Sequence, residues 1–308
     1  MLSTTLNRAS RSARARRAIE GVPVTRRVVD RFVAGEQVPD AVATTGELRS
    51  QGRLVTIDVL GEDVTDLAGA RATADAYLGL LSAIDGAGSA RGTDVSLKLS
   101  ALGQALPGRG EAVALEHATE ICTAAAAVGG TVTLDMEDHT TVDSTLAIGE
   151  RLRRHFPTTG NVLQSNLRRT PGDIAALAGS GARVRLVKGA YREPAAVAHQ
   201  RKGDVDSAYE ADLEALMTST CYPMVGTHDP RMLRLASRLA AAHGRSPDSW
   251  EVQMLLGIRT DLQAAAVEAG EQLRVYVPFG TDWYGYFMRR LAERPANIAF
   301  FLRALAHR

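Results

Sequence analysis

The chain has 308 residues, 45% hydrophobic and 23% charged, with a formal net charge of +1. That length suits one α/β barrel with a large core, and the near-neutral charge excludes an electrostatic footprint for nucleic acid. Two cysteines, Cys122 and Cys221, without CxxC or Cys/His spacing, exclude a disulfide framework or a metal centre built on them, and no apolar run is long enough to span a bilayer.

The first element is basic. No acidic residue precedes Glu20, while Arg8, Arg11, Arg14, Arg16 and Arg17 recur among Ser and Ala. Such a run reads as an organelle transit peptide or as the basic leading helix of a bacterial enzyme. The second reading is preferred, because no cleavage region follows and the pattern continues through Arg26, Arg27 and Arg31. Residues 1–50 are expected to form a helical extension, and residues 51–308 a single catalytic domain.

From about residue 50, short β-rich runs alternate with stretches of helical periodicity. The runs are Leu54–Val59, Asp94–Leu99, Thr131–Met136, Asn161–Ser165, Ala182–Lys188, Tyr222–His228, Trp250–Leu255 and Leu273–Pro278. Between them lie helical segments such as Ala112–Ala127 and Pro230–His243. Alternation of this kind implies a parallel sheet covered by helices, and eight units suggest a closed (βα)8 TIM-type barrel. Periodicity alone leaves an open, doubly wound sheet as the rival.

In a barrel, chemistry gathers at the C-terminal ends of the strands. Those ends carry Glu62, Lys98, Asp135 with Glu137 and Asp138, Gln164, Arg185 with Lys188, Thr227 with His228, Gln253, and Tyr276. Singly, each has an ordinary explanation: Asp135 as a helix cap, Glu137 and Asp138 as a dipole-satisfying helix start, His228 as a turn residue. Together they mark a site. After the eighth strand, Tyr286, Arg289, Arg290 and Glu293 fall at i, i+3, i+4 and i+7, on one side of a helix. The stripe suits an anionic ligand with an apolar body, since paired guanidinium groups bind carboxylate through parallel hydrogen bonds. No GxGxxG stands between a strand and a helix, and no P-loop, HExxH or GxSxG occurs.

The segments VSLKLSALG, TLDMED, RVRLVKGAYREP, GTHDP, WEVQMLLGIR and YVPFGTDWYGYFMRRLAERPAN follow in order to near the C-terminus, and this set resembles the proline dehydrogenase family. The resemblance implies an FAD-containing barrel with a final helix over the C-terminal face of the strands. It also implies oxidation of L-proline to Δ1-pyrroline-5-carboxylate, with electrons passed to a membrane quinone. By motif, Lys98, Arg289 and Arg290 match residues that hold the proline carboxylate, and Tyr276 and Tyr286 match those packing around the ring. Asp135 matches an active-site carboxylate, and Arg185 the arginine facing the redox-active flavin nitrogen. Met136, Gln164, Val187, Lys188, Gly189, Thr227, His228 and Glu293 match cofactor contacts, and Glu62 a gate that pairs with Arg289. Arg192 and Asp229 depart from the commoner family residues, an aromatic and an asparagine. The chain ends soon after the last predicted helix, which suggests the monofunctional form. Implied partners are L-proline, the quinone and a downstream pyrroline-5-carboxylate dehydrogenase. The implied location is cytoplasmic, with peripheral contact at the inner face of the bacterial membrane. Outside the resemblance, a Schiff-base lyase using Lys98 or Lys188 and a non-catalytic binder of anionic metabolites stay open.

Overall fold

Eight strands form the centre of the molecule: β1 (Leu54–Val59), β2 (Asp94–Leu97), β3 (Thr131–Leu134), β4 (Gly160–Gln164), β5 (Arg183–Val187), β6 (Tyr222–Gly226), β7 (Glu251–Leu255) and β8 (Leu273–Phe279). The computed structural model describes residues 29–287; the basic N-terminal run up to Arg27, and Arg289, Arg290 and Glu293, lie outside them. Every neighbouring pair is parallel, and β8 closes on β1 in register from Leu54 opposite Arg274 to Val59 opposite Phe279. The barrel is therefore closed, and the open-sheet alternative falls.

Between the strands run α2 (Leu67–Gly86), α3 (Gly110–Ala127), α4 (Val142–Arg153), α5 (Thr170–Leu177), α6 (Lys202–Thr218), α7 (Pro230–Ala242) and α8 (Thr260–Glu268), with α1 (Val38–Ser50) ahead of β1. α1 packs across the β8–β1 seam and puts Ala41 and Leu48 into the core. Strand residues at alternate positions point outward and meet these helices. Val55, Ile57, Val95 and Leu97 share a cluster with Leu80, Ile84 and Ile121; Val184, Leu186 and Val252 share another with Leu213, Leu216 and Met232. Each such side chain, fully withdrawn from water, contributes about 1.5–3 kcal/mol. Tyr77 of α2 ties two strand ends together, donating to the Ser96 carbonyl and accepting from the Val59 amide.

Strands β2, β3, β4, β5 and β6 stop one or two residues before their predicted C-terminal ends. The chain turns outward there, as in the 3-10 turn Leu99–Leu102 that follows Lys98. Single ladder-like bonds persist past the strands, from the Asp135 amide to the Leu97 carbonyl and from Thr227 to Gln253. Lys98, Asp135, Met136, Lys188, Thr227 and His228 accordingly sit at the first loop positions, where side chains turn toward the barrel mouth.

Candidate active site

The other alternate positions of the strands point into the barrel, and there they are polar and charged. At the N-terminal end of the barrel, Asp94 of β2 accepts from Thr56, Thr131 and Thr133 and pairs with Arg183 across the barrel at 3.1 Å. Glu251 of β7 pairs with Arg274 of β8 at 2.7 Å. Burial pushes the Asp94 carboxyl up, but Arg183, Arg274 and Arg185 outweigh it and bring the group down to about 2. Glu251 is likewise lowered, its burial outweighed by Arg274 and Arg183.

One layer nearer the mouth, Arg185 holds the centre. Its Nε donates to Gln253, and its Nη1 donates to Ser96 at 3.0 Å and to Asp135 at 2.5 Å. Its Nη2 is buried, makes no hydrogen bond, and approaches Asp94 at 3.6 Å. Asp135 also accepts from Ser96 and from the Tyr276 hydroxyl, at 2.7 Å each. Burial first, and then the charges of Asp135 and Asp58, push the Tyr276 phenol well above its ordinary value, so it stays a donor. Lys98 Nζ lies 2.8 Å from both carboxylate oxygens of Asp58 and 3.9 Å from Asp135. Burial works against its charge, yet Asp58 and Asp135 raise its affinity for the proton. An ammonium held this firmly is a poor amine nucleophile, which counts against the Schiff-base reading.

A cavity of about 440 Å³ opens above Arg185. Its walls include Asp135, Met136, Gln164, Val187, Lys188, Gly189, Thr227, His228, Gln253 and Tyr276 from the sequence-selected set, joined by Val162, Met254 and Leu255. Gln164 gives its amide nitrogen to the Glu137 carbonyl, which leaves the carboxamide oxygen as the group it can offer. His228 Nε2 accepts from the Leu255 amide, fastening the end of β6 to the end of β7. Lys188 is paired with Asp206 at 2.6 Å and Asp229 at 3.2 Å. Gly189 has φ +101°, and a Cβ there would meet Asn166 Oδ1 at 2.1 Å, so local packing by itself demands glycine. Asp229 caps α7 through the Arg231 amide, a role asparagine would fill equally.

Other selected residues lie apart from that cavity. Glu62 is half-buried between β1 and α2, on the side of Lys98, whose charge it helps to hold. Glu137 starts no helix: it accepts from the Ser100 amide and hydroxyl at 3.0 and 2.6 Å. Tyr286 is buried, next to Phe287, whose ring lies 6.3 Å from Phe32 near the chain's start. Asp58, Asp94, Ser96, Arg183, Glu251 and Arg274 escaped the reading of strand ends. Their signal was present, since polar residues two apart in a buried parallel strand, as in TID, DVS, RVR, EVQ and RVY, have only the barrel interior to face.

Fold and site together define a (βα)8-barrel enzyme with a charged interior that opens into a partly apolar cavity at the C-terminal mouth. The proline dehydrogenase family model matches residues 41–303. The chain is 41% identical over 283 residues to a proline dehydrogenase of Deinococcus radiodurans, covering 90% of each, and 38% identical to proline dehydrogenase 1 of Bacillus subtilis strain 168, covering 91% of each. A crystal structure of proline utilization A from Bdellovibrio bacteriovorus, inactivated by N-propargylglycine, matches with a TM-score of 0.81 at 23% identity. That match covers 87% of this chain and 33% of the longer one, and it bears on the fold alone. The chain belongs to the proline dehydrogenase family.

Proposed function

We propose that this chain binds FAD at the barrel mouth and oxidises L-proline to Δ1-pyrroline-5-carboxylate, passing the electrons to a membrane quinone. The observation that carries the reading is the Arg185–Asp135–Tyr276 cluster at the base of the cavity, in a chain of this family. The cavity fits a flavin ring system in its chemistry. It has apolar walls from Met136, Val162, Val187 and Met254, the Gln164 carboxamide at one edge, and the Arg185 guanidinium at its base. Lys188, Gly189, Thr227, His228 and Glu293 are the further residues proposed to hold the cofactor.

Bound FAD would supply the two-electron acceptor, and the protein supplies placement and charge. The reaction removes one hydrogen from the ring nitrogen and one from the adjacent methylene, leaving a C=N bond. Lys98, Arg289 and Arg290 hold the substrate carboxylate, Tyr276 and Tyr286 enclose the ring, and Asp135 lies beside it. Glu62 closes the site by pairing with Arg289. Arg185, fixed by three hydrogen-bond partners, offers a cation that needs no reorganisation when negative charge develops next to it. A quinone acceptor implies peripheral membrane contact from the cytoplasmic side; among the described residues no helix is long and apolar enough to cross a membrane. A downstream pyrroline-5-carboxylate dehydrogenase would consume the product.

Purified protein should carry the visible spectrum of a flavin, bleach anaerobically with L-proline and stay oxidised with NADH. A colourless protein that takes up no FAD overturns the reading. Trapping of a keto acid by borohydride on Lys98 or Lys188 would favour the lyase instead.

A further inference from the structure

Asp58 is the one carboxylate of β1, 1% exposed, and both of its oxygens lie 2.8 Å from Lys98 Nζ, with the Tyr77 and Tyr276 hydroxyls also beside it. Lys98 sits at the first position past β2, nearer the mouth and slightly exposed. Asp135, the other acid within reach of Lys98, is 3.9 Å away and already accepts from Arg185, Ser96 and Tyr276. The position of the Lys98 head therefore rests on Asp58. A lysine has four rotatable bonds and a point charge, so by itself it defines a ligand's position poorly. A buried carboxylate gripping it from below removes that freedom.

We infer that Asp58 is a positioning residue for substrate binding: it holds the Lys98 ammonium in one place at the barrel mouth, where it receives the substrate carboxylate. The inference rests on the proposed reading of Lys98 as a carboxylate ligand. It also makes Asp58's contribution to binding conditional on Lys98. With the lysine present, Asp58 organises a cation for an anionic ligand. With the lysine gone, the same carboxyl, which burial already pushes up against the pull of Lys98, takes up a proton and has no cation left to organise. A residue that merely supported the barrel would contribute alike in both settings.

The test is a double-mutant cycle on the FAD-loaded protein, using Asp58→Asn, Lys98→Met and the double variant. Steady-state kinetics with proline would be read beside the dissociation constant of tetrahydrofuran-2-carboxylate, a ring acid of similar shape without the oxidisable nitrogen. Asp58→Asn alone is expected to raise KM and the analogue's dissociation constant roughly 10- to 100-fold, the loss of a charge-assisted contact. kcat should fall by a smaller factor. In the Lys98→Met background the same change should leave both constants level, since a protonated Asp58 and an asparagine are alike neutral. Thermal melts of all four proteins check folding, and disappearance of the effect in the Lys98→Met background is a readout that a loss of packing would not produce. An equal penalty in both backgrounds overturns the inference, as does an Asp58→Asn protein that binds the analogue like wild type. A wild type that neither binds nor oxidises proline overturns the underlying reading, a result distinct from either of these.

Discussion

Arg185 shows at the residue scale what a single side chain is asked to do. Its planar fork reaches Gln253, Ser96 and Asp135 in three directions at once, and an ammonium has no geometry to replace it. Arg185→Lys should keep the charge and lose the placement. Expected is a fall in kcat/KM of roughly 30- to several-thousand-fold, from about 2–5 kcal/mol for one partner of a buried charged pair. Anaerobic stopped-flow reduction of the flavin measures it; a near-normal rate would remove Arg185 from the proposed chemistry. Tyr276→Phe is a gentler cut at the same cluster. It deletes one donor to Asp135 and keeps the ring, so about a tenfold loss of kcat/KM is expected, from ~1.5 kcal/mol for a hydrogen bond to a charged acceptor, with the melting temperature lowered by only a few degrees. Neither partner set can be read from local sequence: Tyr276 and Asp135 are 141 positions apart, Arg185 and Ser96 89. Residue types at strand ends marked the site, but which of them touch depends on register and barrel closure.

At the scale of elements, the strands were legible because their outward residues are apolar and β-branched, and because helical stretches separate them regularly. Their C-terminal ends were overrun, since runs such as DVSLKL keep a strand-like pattern after the backbone has turned. A loop glycine proposed to contact the cofactor is a second case. Gly189, selected by resemblance, follows β5 in a loop bound to the loop after β4 through the Asn166 amide and the Lys188 carbonyl. Its φ of +101° and the 2.1 Å approach of Asn166 to any added Cβ make Gly189→Ala costly. We expect a loss of about 1–3 kcal/mol of stability and weaker FAD retention. Gly179→Ala, in the turn between α5 and β5 with nothing near the added atom, is the control, with a change of at most ~1 kcal/mol in the stabilising sense. Chemical denaturation of the two variants, with FAD release followed by fluorescence, separates the outcomes; equal behaviour would mean that the loop yields where the geometry says it cannot.

For the molecule as a whole, the barrel interior is an electrostatic assembly. Four acids, Asp58, Asp94, Asp135 and Glu251, are matched by four bases, Lys98, Arg183, Arg185 and Arg274, among the described residues. This balance makes burial of so much charge tolerable, because each ion has an opposite partner within the same low-dielectric space. It also leaves the stability of the fold dependent on single members. Asp94, wholly buried, serves three guanidinium groups and is held at about 2 against an ordinary value of 3.8. The folded state thus binds its proton less readily than the unfolded chain does. The stabilisation is complete above pH 3.8 and disappears as pH falls through about 2. Over that window the group should contribute roughly 2–3 kcal/mol. Asp94→Asn keeps the shape but turns one of the two acceptor oxygens into a donor, so it cannot accept from every threonine and leaves Arg183 short of its partner. At neutral pH it should cost about 3 kcal/mol, the lower end of what removing one member of a buried pair costs. Its stability should then decline less steeply than wild type between about pH 4 and pH 2. Urea denaturation at closely spaced pH values measures both curves, and parallel curves through that window would show that the guanidinium cluster does not hold Asp94 ionised.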